Sequence, residues 1–149
     1  MKLQYDMKKI RTEILIPAAV DQVWEVLLNT SEYPTWNPFI RRFEGDIEKN
    51  KKVKISINPP GGSRMNFSPT IIKKENNREL RWLGKLGISG LFDGEHYFIL
   101  EEVSPAETRL IHGENFSGLL VPFIGLEKTE EGFKLMNEAI KKRFTNGIA

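Results

Sequence analysis

Three side chains near the end of the chain, His96, His112 and Glu114, have types and spacing suited to chemistry. Imidazole is the side chain that changes charge near neutral pH. Beside a carboxyl group it can orient a carbonyl or hydroxyl, or move a proton during an aldol-type cyclisation. The plainer role is that the three bond to one another and to neighbouring strands, as buried polar groups usually do. Two histidines and a glutamate are also ligand types for zinc or iron, but a metal site needs a convergence that this spacing does not show, so no metal and no cofactor is expected. Nothing in the chain resembles a nucleophile elbow, a phosphate-binding glycine loop or a dinucleotide fingerprint.

Whether these residues meet depends on the strands that carry them. Alternation puts His96, Phe98 and Leu100 on one face of one run, and Leu110, His112, Glu114 and Phe116 on one face of the next. The opposite faces carry Glu101 and Arg109, which favour water, so the histidine-bearing faces point inward. A four-residue connection from Ser104 to Glu107 would place the two histidines on opposite sides. A three- or five-residue connection, or a β-bulge, would align them.

The apolar surroundings are the second candidate feature. Trp36, Phe39, Trp82 and Phe116, with Met65 and Phe67 on a central strand and Met136 on the last helix, suit the wall of a cavity for a planar or greasy molecule. Each could equally be core packing. Trp36 stands apart because it lies in Tyr33-Pro34-Thr35-Trp36-Asn37-Pro38-Phe39, where two prolines forbid continuation of the preceding helix and three aromatic rings collect in a turn. Such an apolar turn reads as the rim of a cavity. Asn37 has a turn-stabilising role open to it through its own backbone. The candidate ligand-binding set is therefore Trp36, Asn37, Phe39, Met65, Phe67, Trp82, His96, Phe98, His112, Glu114, Phe116 and Met136, with His96, His112 and Glu114 as the candidates for catalysis.

The elements that must position these groups follow from periodicity. Lys9 to Ile16 reads as a strand closed by Pro17. Val20, Val23, Trp24, Leu27 and Leu28 mark one face of a helix whose start lacks a capping side chain. Strands are expected at 39–44, 53–58, 64–74, 79–86, 92–103 and 108–117, with turn residues between them. Gly84 to Gly90 reads as a flexible connection near the cavity mouth. Phe133, Met136, Ile140 and Phe144 then form a helical stripe over roughly 127–144, with Gly147 beyond its end. Hairpin-length connections imply an antiparallel meander, and only the last helix is long enough to cover it.

Composition bounds the function. The 149 residues fit one domain, 1–149, and the 40% hydrophobic and 28% charged shares are those of an ordinary folded chain. There is no cysteine, which excludes disulfides and thiolate chemistry and makes a reducing cytoplasm the expected address. The N-terminal residues lack the apolar core of a signal peptide, and the apolar run from Gly118 to Leu126 is about half a membrane span, so no integral membrane association is expected. A net charge of +2 from 22 basic and 20 acidic residues, interleaved in sign, gives no nucleic-acid footprint. The cluster Lys49-Asn50-Lys51-Lys52 reads as a solvated hairpin tip. No feature specifies an oligomeric state.

Taken together, Val23-Trp24-Glu25-Val26-Leu27, the segment Tyr33 to Phe39, Leu80-Arg81-Trp82, Phe92-Asp93-Gly94-Glu95-His96, Thr108 to Glu114, and Gly132-Phe133 to Met136-Asn137-Glu138 resemble, in order and spacing, the START-like (SRPBCC) superfamily of polyketide cyclase/dehydrase and lipid-transport type. The resemblance implies an α+β helix-grip fold. In it a seven-stranded curved antiparallel sheet wraps a long C-terminal helix, with one or two short helices after the first strand. It also implies a cavity for a small hydrophobic or aromatic ligand between sheet and helix. Carriage of such a ligand is the first expectation. The alternatives are a cyclase/dehydrase-type enzyme using the His/Glu patch and a protein-interaction module of the chaperone-activator type.

Overall fold

The computed structural model describes residues 7–85, 90–121 and 125–145. In chain order these form β1 (Met7–Ile16), α1 (Val20–Leu28), a single 3-10 turn at Thr30–Glu32, α2 (Tyr33–Trp36), β2 (Ile40–Glu44), β3 (Lys54–Ile57), β4 (Met65–Phe67), β5 (Thr70–Glu75), β6 (Glu79–Lys85), β7 (Asp93–Ser104), β8 (Glu107–Ser117) and α3 (Glu127–Thr145). The fold is the helix-grip arrangement, an antiparallel sheet with the long terminal helix packed on it. The Gly84–Gly90 connection, the apolar 118–126 run and Gly147 fall wholly or partly outside the described residues.

Of the predicted stripe, helix α1 buries Val23, Trp24 and Leu27, while Val20 and Leu28 are partly buried against the core. Its Ala19 cap has no side-chain acceptor; instead Gln22 Oε1 accepts from the Ala19 N–H at 3.0 Å. The proline segment after it forms the short α2, with Pro34 in the first turn, where its missing N–H costs nothing. Tyr33 is buried there, its hydroxyl donating to the Leu27 carbonyl at 2.6 Å.

The expected seven strands become eight, because the run from Arg64 to Lys74 breaks between Phe67 and Thr70. Pro69 has no N–H to give a ladder, so the chain leaves one sheet there and enters another. Ladder bonding accordingly divides into a five-stranded sheet, β1-β8-β7-β6-β5, and a three-stranded sheet, β2-β3-β4. The two are stitched by residues 50–53: Asn50 donates to Ile71 at 2.8 Å, Ile71 to Lys51 at 2.9 Å and Val53 to Pro69 at 3.0 Å.

The β7–β8 hairpin settles the side to which the histidines point. Its turn pairs Ser104 with Glu107, which by itself would set His96 and His112 on opposite faces. A bulge between Glu102 and Ser104 shifts the register by one, so that His96 pairs with Glu114 and Phe98 with His112. Directly paired residues share a face, and all four therefore point to the same side.

Helix α3 covers that side. Phe133, Met136 and Ile140 are fully buried, and Asn137 sits among them at 2% exposure. Gly132 permits the closest approach: a methyl group there would overlap the ring of Phe39, which packs edge-on against Phe133 with centroids 5.3 Å apart. A glycine inside a helix costs about 1 kcal/mol relative to alanine, and here it makes room for a buried aromatic ring.

Candidate functional site

A chain of five polar side chains crosses the core from the sheet to α3 and back. Glu114 Oε1 lies 3.1 Å from His96 Nδ1, and His96 Nε2 lies 2.8 Å from His112 Nε2. His112 Nδ1 is 2.8 Å from Asn137 Oδ1, and Asn137 Nδ2 donates to Thr12 Oγ1 at 2.8 Å. The Thr12 hydroxyl donates to the His112 carbonyl at 2.7 Å and closes the circuit. Both rings are packed as aromatics: His96 stacks on Trp82 at 4.5 Å, and His112 on Phe133 at 4.2 Å.

The proton positions follow by elimination, starting from Thr12. A carbonyl oxygen only accepts, so the single Thr12 hydroxyl proton is committed to His112 O. Asn137 must then turn its amide nitrogen to Thr12 and its oxygen to His112, whose Nδ1 carries the proton between them. Burial holds His112 neutral, its pKa well below the usual histidine range; the nearby His96 adds to this and the Asn137 bond opposes it. Its Nε2 is consequently a bare acceptor, and His96 Nε2 must be the donor. Burial likewise depresses His96 to about 3, leaving its Nδ1 bare. Glu114 completes the chain as a carboxylic acid, since burial lifts its pKa to about 8. All four ring nitrogens and Glu114 Oε1 are satisfied when the whole chain is neutral.

Glu114 and His96 also border a partly open cavity of about 220 Å³, lined by residues of β2, β3, β4, β6, β7, β8 and the first turn of α3. Of the twelve residues predicted for ligand binding, seven line it: Phe39, Met65, Phe67, Trp82, His96, Glu114 and Phe116. Its remaining wall is largely apolar, with Ile40, Ile55, Ile57, Pro69, Phe92 and Leu126, while Lys85 and Thr129 supply the other polar side chains.

Five predicted residues lie elsewhere. Phe98, His112 and Met136 are buried behind the cavity wall. Trp36 packs edge-on to Tyr33 at 5.3 Å and carries the Arg143 guanidinium 5.3 Å over its ring. Tyr33–Trp36 wind as helix instead of an open turn, and Trp36 is not on the cavity wall. Asn37 performs the turn role: its Oδ1 accepts from the N–H groups of Phe39 and Ile40, each at 2.9 Å.

Sequence alone assigns no role to two members of the polar chain, Thr12 and Asn137. Asn137 had a legible signal, being a polar residue four after Phe133 and three before Ile140 on the apolar stripe. Thr12 alternates with Ile10, Ile14 and Ile16 on the inner face of β1, where its polarity is equally out of place. Among the described residues, no three His, Cys, Asp or Glu side chains are placed to hold a metal ion. No described helix is long and apolar enough to cross a membrane.

Sheet, terminal helix and intervening cavity define a START-like helix-grip protein. The chain belongs to the family described as polyketide cyclase/dehydrase and lipid transport, which matches residues 7–148. Its fold is shared by a START superfamily protein from Mycobacterium smegmatis, at 15% identity and TM-score 0.73, covering 93% of this chain and 97% of that one. Norcoclaurine synthase from Thalictrum flavum, as a point mutant bound to a transition-state analogue, superposes with TM-score 0.73 at 13% identity over 99% of this chain and 100% of that one. An aromatase/cyclase from a Streptomyces species gives TM-score 0.68 at 13% identity, with 97% of each chain covered. No curated protein matches the sequence.

Proposed function

We propose that the cavity between the sheets and α3 binds one small, flat hydrophobic or aromatic molecule, and that the protein carries or senses it. The observation that carries this reading is the composition of the cavity: mainly apolar walls, with the neutral Glu114 carboxyl group on the inner side and Lys85 and Thr129 as the other polar side chains beyond His96. Burial of apolar surface would drive entry, and a contact with the Glu114 carboxyl group would orient the guest. The open space also counts against a protein-interaction module, for which a filled core is expected. Ligand-observed NMR with a panel of substituted benzenes tests the proposal. Binding is expected, and Ile57→Trp, which puts bulk into the cavity wall, is expected to abolish it while the protein stays folded. Binding unaffected by Ile57→Trp would place the site elsewhere.

A second reading, an enzyme of cyclase/dehydrase type, is favoured by the position of Glu114. A carboxyl group with a raised pKa on the wall of a mainly apolar cavity suits general acid or base work. On this reading Glu114→Gln would lower turnover about 100-fold or more while leaving binding intact. Binding by the wild type without turnover of any bound compound favours the carrier.

A further inference from the structure

The proton arrangement of the buried chain fixes what the cavity offers a guest. Glu114 Oε1 faces His96; Oε2 has no hydrogen-bond partner among the described residues and lies over Gly94, which also lines the cavity. We infer that Glu114 Oε2 is a hydrogen-bond acceptor, and that the cavity therefore selects apolar molecules bearing a hydroxyl group, a phenol or an alcohol, over those whose only polar atom is an ether or carbonyl oxygen. This rests on the reading that the cavity binds a small apolar molecule, and adds the chemistry of its polar end.

Three placements of the carboxyl proton exist, and two of them leave Oε2 accepting. With the proton on Oε1, directed to His96 Nδ1, Oε2 is the carbonyl oxygen of a neutral acid. With the proton passed to His96, Oε2 belongs to a carboxylate. Only a proton on Oε2 would make it a donor, and Oε1 and the bare Nδ1 of His96 would then face each other at 3.1 Å as two acceptors with no proton between them. A buried site strongly disfavours that pairing. His96 itself offers the guest nothing, because both of its ring nitrogens are engaged.

Size narrows the class. A dry cavity of about 150 Å³ accepts benzene, so about 220 Å³ takes one ring with a short substituent. Trp82 and Phe116 give it flat walls. A neutral hydroxyl suits the site better than an ammonium group, because Lys85 lines the same cavity and would repel a cation. Lys85 is itself exposed, so its ammonium stays hydrated and competes weakly as a donor to an ether or carbonyl guest.

Calorimetric titration with 4-ethylphenol, 4-ethylanisole and 4-ethylbenzaldehyde tests the inference. The phenol is expected to bind at least about tenfold more tightly than either acceptor-only compound, since a site built around a hydroxyl rejects analogues that lack it. Glu114→Gln is expected to keep that preference within about threefold. Its amide N–H can donate to His96 Nδ1, which leaves the amide oxygen where Oε2 stood. Glu114→Met is expected to abolish the preference while ether binding persists. Equal binding of the three compounds by the wild type, or tighter binding of the aldehyde or ether, would overturn the inference while leaving the ligand-binding reading intact. Binding of none of them would overturn both. The comparison among ligands in the wild type decides the matter even where a variant is poorly folded.

Discussion

The imidazole of His112 lies flat on the ring of Phe133, with centroids 4.2 Å apart and planes 4° from parallel. One turn later on α3, Asn137 holds the same imidazole by its Nδ1 at 2.8 Å. The helix thus grips one histidine by face and by edge, and the tautomer it imposes is relayed through His96 to Glu114. The polarity of the cavity's acceptor is set by a helix residue on the far side of the core.

Phe133→Ala is expected to destabilise the fold by about 3–5 kcal/mol, because the ring is fully buried and is shared by Phe39, His96 and His112. Denaturant titration measures this. A loss below about 1 kcal/mol would mean that α3 does not depend on that contact.

Stability should peak near pH 6.5. His96, depressed by burial to about 3, contributes stability that is present above its unfolded value of 6.5 and lost as pH falls towards 3; His112 acts in the same direction. Glu114 works oppositely. Its pKa rises from 4.5 to about 8 on burial, so its contribution is complete below 4.5 and disappears as pH rises to 8. Between 4.5 and 6.5 the two histidines outweigh the one acid. From 6.5 to 8 only the loss from Glu114 remains, at up to about 1.4 kcal/mol per pH unit. Unfolding free energies at pH 5, 6.5 and 8 check the shape. Glu114→Gln should flatten the alkaline limb, and an unchanged limb in that variant would assign it to another group.

The sequence shows the element order plainly where periodicity is strong, as in the α1 stripe and in Phe133, Met136 and Ile140 on α3. It shows the inward faces of β7 and β8 equally well, because Glu101 and Arg109 mark the outer one. What it hides are single-residue events. The bulge between Glu102 and Ser104 leaves no composition signal, yet it alone decides that His96 and His112 meet. The break at Pro69 is written in the sequence, but Met65 and Phe67 before it and Ile71 and Ile72 after it let the two strands read as one run. Trp36 shows the opposite error: an aromatic residue beside prolines looks like a cavity rim, and local helix formation in α2 moves it away.

Trp82 and Trp36 should therefore respond differently to a guest. Trp82 lines the cavity and stacks on His96, whereas Trp36 sits against Tyr33 and Arg143. Trp82→Leu is expected to weaken 4-ethylphenol binding about tenfold or more through lost contact area, and Trp36→Leu to change it less than about twofold. Calorimetric titration of both variants decides this, and a larger effect at Trp36 would move the site towards α2.

Gly94 offers the sharpest separation of fold from site. A methyl group there would overlap Glu114 Oε2, the far end of a flexible side chain, and would meet the Phe116 ring only at an ordinary 3.6 Å. Its backbone has no positive φ to strain an alanine. Gly94→Ala should consequently fold, with the Glu114 carboxyl swung off His96 Nδ1 and its acceptor displaced from the cavity. The expected result is a stability loss of about 1–3 kcal/mol from the unpaired imidazole nitrogen, together with loss of the preference for 4-ethylphenol over 4-ethylanisole. A variant that kept the full preference would show that the carboxyl does not work from its place over Gly94, and that the selecting acceptor lies elsewhere on the cavity wall.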